Sequence, residues 1–250
     1  MLAKEPVGYR TDYRRFIILS GPRTGSNYLL TMLRSHPNIY ARGELFNRLC
    51  IFDYESHPLH AELLRRRQAD PEKFLRRICF FPLQASMAAS GFKLFYRHVD
   101  GPLHWFPFLL RQEPNFRVIH LKRRNVLRQY YSLQRAMQDD QWWTTKQTSP
   151  PACITIDPGG CLRFLADMDA FRDRFDAIFR DIQLEVWYED LATDPDGVVN
   201  RVQEFLGVSI QPLTSRLQKQ NTAPLSACIQ NFKDVRERLR GTSWEWCTKE

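Results

Sequence analysis

The chain has no long run of apolar residues, no apolar core near its start and no cysteines paired at the spacing of a metal site. No stretch approaches the roughly 20 apolar residues that cross a bilayer, so we expect no transmembrane segment. The opening residues, MLAKEPVGYRTDYRRF, do not resemble a signal peptide, so export is not expected. We expect a cytoplasmic protein without a metal site, whose cysteines are reduced thiols: Cys50, Cys79, Cys153, Cys161, Cys228 and Cys247.

An excess of acidic residues is also lacking. Lysine and arginine number 36 against 28 for aspartate and glutamate, which gives a formal net charge of +8. This charge favours an anionic partner. Because the basic residues are spread out and no DNA- or RNA-binding signature appears, we do not expect nucleic acid to be that partner. A small ligand with several phosphate or sulfate groups fits the charge, and so does a polyanionic substrate or a membrane surface.

The length of the chain is typical of one large α/β domain. With 250 residues, 43% of them hydrophobic, it can bury a substantial core, so we expect a single domain over 1–250. A short extension, 1–14, is expected before the first strand. An irregular insertion is expected over 144–158, because three prolines and many hydroxyl residues disfavour a helix there.

Strand-like apolar runs alternate along the chain with longer segments of helical periodicity. Strands that alternate with helices need crossover connections, so we predict a three-layer α/β domain with a mainly parallel sheet and helices on both faces. Ligands are expected at the carboxyl ends of the strands. The predicted strands are Phe16–Ser20, Gly91–Tyr96, Arg117–Lys122 and Gln183–Tyr188, and the predicted helices are Asn27–Ser35, Leu59–Gln68, Pro71–Cys79, Arg124–Gln138, Gly160–Arg180 and Asp196–Leu206.

A loop of small and hydroxyl residues, GPRTGSNYL, joins the first predicted strand to the first helix. It has no lysine before the hydroxyl and is shorter than a Walker loop, so it does not match an ATPase or a kinase. If Gly21 and Gly25 permit a tight turn, four backbone amides and the positive end of the helix dipole face an anion. The alternative is an ordinary connection capped by Ser26. The side-chain donors are Arg23, Thr24 and Ser26, and the amides are those of Thr24, Gly25, Ser26 and Asn27.

A second basic motif, VIHLKRRNVLRQYYS, follows another apolar strand. Arg124 and Ser132 are eight residues apart, which is just over two helical turns, so we expect both side chains on one face of a helix. The guanidinium fork of an arginine and a serine hydroxyl can together hold a phosphate. The alternative is a solvated basic strand end, with Ser132 merely exposed on the helix.

Three stretches together resemble the PAPS-dependent sulfotransferases. PRTGSNYL is similar to their phosphosulfate-binding loop, which reads P-K-S-G-T-T-W in the cytosolic members, and Arg124 with Ser132 resembles their 3′-phosphate-binding pair. The stretch VWYEDLATDPDGVVNRVQEFLGV is similar to their Y-E-D-L…D-P…F-L-G element, which we interpret as scaffold. SHPNIYARGELFN, the RRN triplet and KQNTAPLSACIQNFKDVRERL resemble, more narrowly, bacterial carbohydrate sulfotransferases of the nodulation-factor type.

The resemblance implies a donor, a reaction and a set of residues. The donor is 3′-phosphoadenosine-5′-phosphosulfate (PAPS), and its sulfuryl group moves by in-line displacement, without a metal, to an acceptor hydroxyl on a carbohydrate or glycolipid. Glu44 is the expected general base, and Arg23 the expected stabiliser of the departing nucleotide. The residues expected to hold the donor are Arg23, Thr24, Gly25, Ser26, Asn27, Arg124 and Ser132.

Several alternatives stay open at this point. Glu44 can instead be a surface carboxylate paired with Arg42 or Arg48. His98 is the reserve base, because the cytosolic branch uses a histidine, and its alternative is a surface histidine after a strand. Lys93 can contact the sulfuryl group, and aromatic faces can stack on an acceptor sugar. The competing functions are a nucleotide or small-molecule kinase and a non-catalytic nucleotide-binding protein. A homodimer and peripheral contact with a membrane are left open. The aromatic candidates are Trp105 and the pair Trp142–Trp143.

Overall fold

A computed structural model describes residues 8–140, 142, 153–217 and 223–249 of the chain. Two sheets are present, a two-stranded antiparallel ribbon (β1 with β4) and a five-stranded parallel sheet in the order β3-β5-β2-β6-β7. The parallel sheet confirms the predicted fold class. The strands are β1 (Tyr9–Arg10), β2 (Arg14–Ser20), β3 (Ile39–Arg42), β4 (Leu83–Gln84), β5 (Ala89–Phe95), β6 (Phe116–Lys122) and β7 (Gln183–Trp187).

Helices cover both faces of the parallel sheet. Because β2 is buried on both faces, its residues form a nearly continuous apolar run. Ile17 packs in the core on the side of α5 and α6, whereas Ile18 packs on the side of α1 and α8. These two cores give the three layers that the sequence predicts. The helices are α1 (Ser26–Arg34), α2 (His60–Ala69), α3 (Pro71–Phe74), α4 (Phe106–Gln112), α5 (Val126–Asp139), α6 (Pro158–Phe179), α7 (Tyr188–Thr193), α8 (Pro195–Leu206), α9 (Leu225–Cys228) and α10 (Phe232–Leu239).

The register of the sheet brings the ends of its strands together. Ser20, the last residue of β2, is level with Phe95 of β5 and with Leu121 of β6, and Lys122 is level with Trp187 of β7. The segments that follow these four strands therefore begin along one edge of the sheet. This is the edge where α/β proteins bind ligands.

Some predicted boundaries are wrong. The predicted helix Pro71–Cys79 is α-helical only as far as Phe74, and a π-helical turn, Leu75–Cys79, follows it. Helix α6 begins at Pro158 rather than Gly160, because the Asp157 carboxylate accepts hydrogen bonds from the first-turn amides.

The predicted irregular segments are only partly described. Of the expected extension 1–14, residues 1–7 lie outside the described residues, and Tyr9–Arg10 form β1. Of the expected insertion 144–158, residues 144–152 lie outside them as well, while Ile154 forms an isolated parallel bridge with Ile229. Among the described helices, none combines the length and the apolar character that a bilayer span requires.

Candidate active site

A cavity of about 1500 Å³ opens at the carboxyl edge of the parallel sheet. Residues from the segments that follow four strands line it: Arg23 after β2, Glu44 after β3, His98 after β5 and Arg123 after β6. Ser132, on α5, lines the same cavity. Both predicted motifs and the candidate base therefore face one cavity.

The loop between β2 and α1 has the backbone of a tight anion-binding turn. Gly25 is in the left-handed region, with φ of 81°, and a Cβ atom there would lie 2.8 Å from Cδ2 of Tyr188. Only glycine fits this position without displacing the ring. Gly25 is also the N-cap of α1, and no side chain of the described residues caps the first turn. The alternative of an ordinary helix start capped by Ser26 is therefore wrong, and the first amides of α1 are available to an anion.

Arg23 connects the two motifs. Its Nε donates to the Ser132 hydroxyl at 3.0 Å, and its Nη1 donates to the carbonyl of Trp142. Burial, and to a lesser extent the charge of Arg123, lower the pKa of Arg23 to about 10. The guanidinium is thus still a cation at neutral pH, held at the wall of the cavity.

Arg123 is a cavity residue that the sequence did not single out. It is buried at the end of β6, its Nη1 donates to the carbonyl of Arg23 at 2.9 Å, and its guanidinium carbon lies 4.3 Å from the ring centroid of Tyr188. Its buried Nε has no hydrogen-bond acceptor among the described residues. Burial lowers the pKa of this arginine. A cation so placed can attract an anion into the loop, and its only signal in the sequence is its position behind an apolar strand.

Arg124 does not share a helical face with Ser132. Helix α5 begins at Val126, because the side chain of Asn125 caps it by accepting from the Arg128 amide at 2.8 Å. Arg124 therefore precedes the helix, and its guanidinium makes two hydrogen bonds to Asp190, at 2.7 and 3.0 Å. Among the described residues, Ser132 belongs to the cavity wall and Arg124 does not. The role of Arg124 as a phosphate ligand stays a prediction, since two of the five donors of its guanidinium are used by Asp190.

Glu44 is buried in a polar pocket on the other side of the cavity. Its Oε1 lies 2.8 Å from Nζ of Lys93, and its Oε2 accepts from Nδ2 of Asn47 at 2.9 Å and lies 3.4 Å from Nε2 of His98. The alternative pairing with Arg42 or Arg48 is wrong. Arg42 donates to the carbonyls of Ile78 and Cys79, and Arg48 donates to the carbonyl of Asp100.

The partners of Glu44 decide its charge. Burial raises its pKa, but the contacts with His98 and Lys93 outweigh burial and lower the pKa to about 2. The carboxylate is therefore ionised at neutral pH, which is the state a proton acceptor needs. Burial lowers the pKa of Lys93 and of His98, because each loses solvation of its charged form.

The position of Glu44 is fixed by the short strand β3 before it and by a clamp, which is the Asp53 carboxylate with its hydrogen bonds to Gly43 and Arg34. The Asp53 carboxylate accepts from the Gly43 amide at 2.6 Å and from Arg34 of α1 at 2.5 Å. The Lys93 amide donates to the Gly43 carbonyl at 3.2 Å. The residue before Glu44 is thus fixed to α1, to β5 and to its own loop.

Comparison with known proteins identifies the family. A family model described as "Sulfotransferase family" matches residues 15–212. The chain belongs to the sulfotransferase family. It is 30% identical over 228 residues to Nodulation protein H of Rhizobium meliloti (strain 1021), covering 88% of this chain and 89% of that protein. Nodulation protein H of Rhizobium tropici is also 30% identical, over 232 residues, 90% of this chain and 89% of that protein.

A solved structure supports the fold of this sulfotransferase. The sulfotransferase from Alicyclobacillus acidocaldarius superposes with a TM-score of 0.52, covering 90% of this chain and 89% of that one. The two sequences are only 16% identical, so the likeness concerns the architecture.

The remaining candidate residues of the sulfotransferase do not all lie at the cavity. Trp142 and Lys93 line the cavity, whereas Trp105, which packs edge-on against Phe106, is not among the described residues that do. Trp143 lies outside the described residues. His120 is a core residue whose ring is hydrogen-bonded, since it bonds to the Tyr96 hydroxyl at 2.8 Å and to Asp176 at 3.0 Å.

Proposed function

We propose that this sulfotransferase moves the sulfuryl group of PAPS to a hydroxyl of a carbohydrate or glycolipid, with Glu44 as general base. The observation that carries the proposal is the placement of Lys93. Its Nζ donates to the side-chain oxygen of Asn27, in the first turn of α1, and lies 2.8 Å from Oε1 of Glu44. One ammonium group therefore contacts both the proposed donor loop and the proposed base, which supports a reaction between groups held on either side of Lys93.

The donor side of the cavity is suited to a phosphosulfate. The amides of Thr24, Gly25, Ser26 and Asn27 and the uncapped start of α1 offer hydrogen bonds, and Arg23 adds a half-buried cation. Negative charge grows on the departing 5′-phosphate as the sulfur–oxygen bond breaks. Preorganised donors at that place lower the barrier, because they need no rearrangement during the reaction. Ser132 and Arg124 are the proposed ligands of the 3′-phosphate.

The acceptor side has a base and apolar surface. As the acceptor oxygen bonds to sulfur, its proton passes to Glu44, which is ionised and buried. Leu49, Met137 and Trp142 line the same cavity and are 88%, 58% and 40% exposed, so they can pack against a sugar face or an acyl chain. We propose a cytoplasmic location. The six cysteines, all within the described ranges, form no disulfide, which fits a reducing compartment.

Isothermal titration tests the donor. The product nucleotide, 3′-phosphoadenosine-5′-phosphate, is expected to bind at least about tenfold more tightly than ADP, because a charge-assisted contact to the 3′-phosphate contributes about 1.5–3 kcal/mol. Equal affinities, or magnesium-dependent turnover of ATP, would contradict the proposal. Radiolabelled sulfate transfer from PAPS onto a panel of neutral oligosaccharides and glycolipids tests the acceptor, and label appearing only on non-sugar hydroxyls would refute the carbohydrate assignment.

A further inference from the structure

His98 lies beside Glu44, and the protein engages both of its ring nitrogens. Nδ1 accepts a hydrogen bond from the Phe95 amide at 3.2 Å. A ring nitrogen that accepts from an amide cannot carry the proton of a neutral imidazole, so that proton is on Nε2. Nε2 lies 3.4 Å from Oε2 of Glu44. The neutral ring therefore presents a donor to the carboxylate.

This geometry is unsuited to a histidine base. A base needs a lone pair that faces the acceptor hydroxyl, but the lone pair of Nδ1 is used by the backbone and Nε2 is protonated. The charged groups that act on the ring are Glu44 after β3, Lys93 on β5 and Arg67 on α2. Burial, the largest effect, lowers the pKa of His98, which keeps the ring neutral near pH 7.

The two oxygens of Glu44 differ in what they contact. Oε2 accepts from Asn47 at 2.9 Å and also faces His98, so both of its lone pairs have donors. Among the described residues, Lys93 is the only donor close to Oε1, at 2.8 Å. Oε1 therefore keeps a lone pair for a proton.

We propose that His98 is a positioning residue, which holds Oε2 of Glu44 so that Oε1 receives the proton of the acceptor hydroxyl. The inference rests on the proposed function, in which Glu44 is the base. In the transfer, the acceptor oxygen bonds to sulfur, the bond between sulfur and the phosphate oxygen breaks, and the proton moves to Oε1. His98 keeps its own proton throughout.

Two amide substitutions separate positioning from proton transfer. In His98→Gln the side-chain amide reaches the place of Nε2 and can still donate to Glu44, whereas in His98→Asn it reaches only the place of Nδ1. We expect His98→Gln to keep kcat within about tenfold of the wild type, and His98→Asn to lower it by about 10–100-fold, the loss of one hydrogen bond to a charged group. Both variants are expected to bind 3′-phosphoadenosine-5′-phosphate as the wild type does.

The pH profile gives a second readout. Removing a donor raises the pKa of a carboxylate, so the acid limb of kcat/KM is expected at higher pH in His98→Asn but not in His98→Gln. An equal collapse of transfer in both variants, with nucleotide binding intact, would overturn the proposal, because it would mean that the imidazole itself takes the proton. So would wild-type rates in His98→Asn.

A measurement on the unaltered protein keeps the proposal testable if the variants fail to fold. Nitrogen-15 NMR of the sequentially assigned wild type is expected to show His98 as the neutral Nε2–H tautomer at pH 7. An Nδ1–H tautomer or a protonated ring would refute the inference. If instead the proposed function is wrong because Glu44 is not the base, the result is a different one: Glu44→Gln transfers sulfate at the wild-type rate.

Discussion

The substitution Glu44→Gln removes one buried charge while it keeps the shape of the side chain. An amide oxygen in the place of Oε1 still accepts from Lys93, 2.8 Å away in the wild type, but it cannot take a proton. General base catalysis contributes about 100- to 10,000-fold to a rate, so we expect kcat to fall by that factor. Nucleotide affinity is expected to stay within about threefold, since Glu44 is not among the proposed donor ligands.

The same substitution changes how stability depends on pH. Folding lowers the pKa of Glu44 from its ordinary value of 4.5 to about 2, which corresponds to about 3 kcal/mol at about 1.4 kcal/mol for each pKa unit. Because the folded pKa is the lower one, this stabilisation is fully present above about pH 5. It is lost as the pH falls from 4.5 towards 2. In Glu44→Gln this acid-sensitive part is absent, and Lys93 is left without its counter-charge, so stability at pH 7 is lower.

Three measurements check this reasoning. Transfer is followed with radiolabelled PAPS, nucleotide affinity by titration calorimetry, and the free energy of unfolding by urea denaturation at pH 7 and about pH 3, where most of the stabilisation is lost. Glu55→Gln is the matched control, because Glu55 lines the same cavity but is exposed to solvent. A Glu44→Gln variant that transfers sulfate as fast as Glu55→Gln would refute Glu44 as the base. If Glu44→Gln lost as much stability on acidification as the wild type does, the lowered pKa of Glu44 would be refuted.

Three further substitutions test the donor side and the clamp. Gly25→Ala places a Cβ 2.8 Å from Cδ2 of Tyr188, so we expect nucleotide affinity to fall at least about tenfold. The control is Gly241→Ala, because Gly241 has a similar φ of 71° but a Cβ there would meet nothing within 4 Å. We expect this control to lose stability but not nucleotide affinity. Arg124→Ala is expected to weaken binding of the 3′-phosphorylated nucleotide by about 2–3 kcal/mol and to spare a nucleotide without that phosphate. Equal losses for both nucleotides would contradict the assignment. Asp53→Asn weakens the hydrogen bond that the Asp53 carboxylate accepts from the Gly43 amide. We therefore expect kcat to fall about tenfold while nucleotide affinity is unchanged. A fall in nucleotide affinity alone would argue against the clamp.

The parts of the fold that sequence reasoning found are those with a strong local pattern. Strand β2 is a continuous apolar run, because both of its faces are buried, and the loop after it carries its glycines where the turn needs them. Strand β3 was missed because it is a four-residue edge strand that contains an arginine, with an exposed Tyr40. Because β3 was not among the predicted strands, the sequence did not show that Glu44 directly follows a strand of the sheet.

The parts that sequence reasoning did not find depend on contacts between distant segments. Nothing local indicates that Lys93 and His98 meet Glu44, because a β5 residue and a turn after β5 reach it only through the pairing of β3 with β5. The spacing of Arg124 and Ser132 was correctly counted, but the helix starts later, where Asn125 caps it. A side chain that forms a cap decides such a boundary, and periodicity alone does not reveal it.

The positions of the reacting groups across the sheet have a consequence for how this enzyme can be altered. Glu44 follows β3 and contacts Lys93 of β5, whereas Arg23, Arg123 and Tyr188 follow β2, β6 and β7. The 45–59 segment, which follows Glu44, can therefore be exchanged for that of another member of the family, provided that Asn47 and Asp53, which hold Glu44 and Gly43, are kept. We expect such a chimaera to bind the nucleotide as before, because the graft leaves the ends of β2, β6 and β7 untouched.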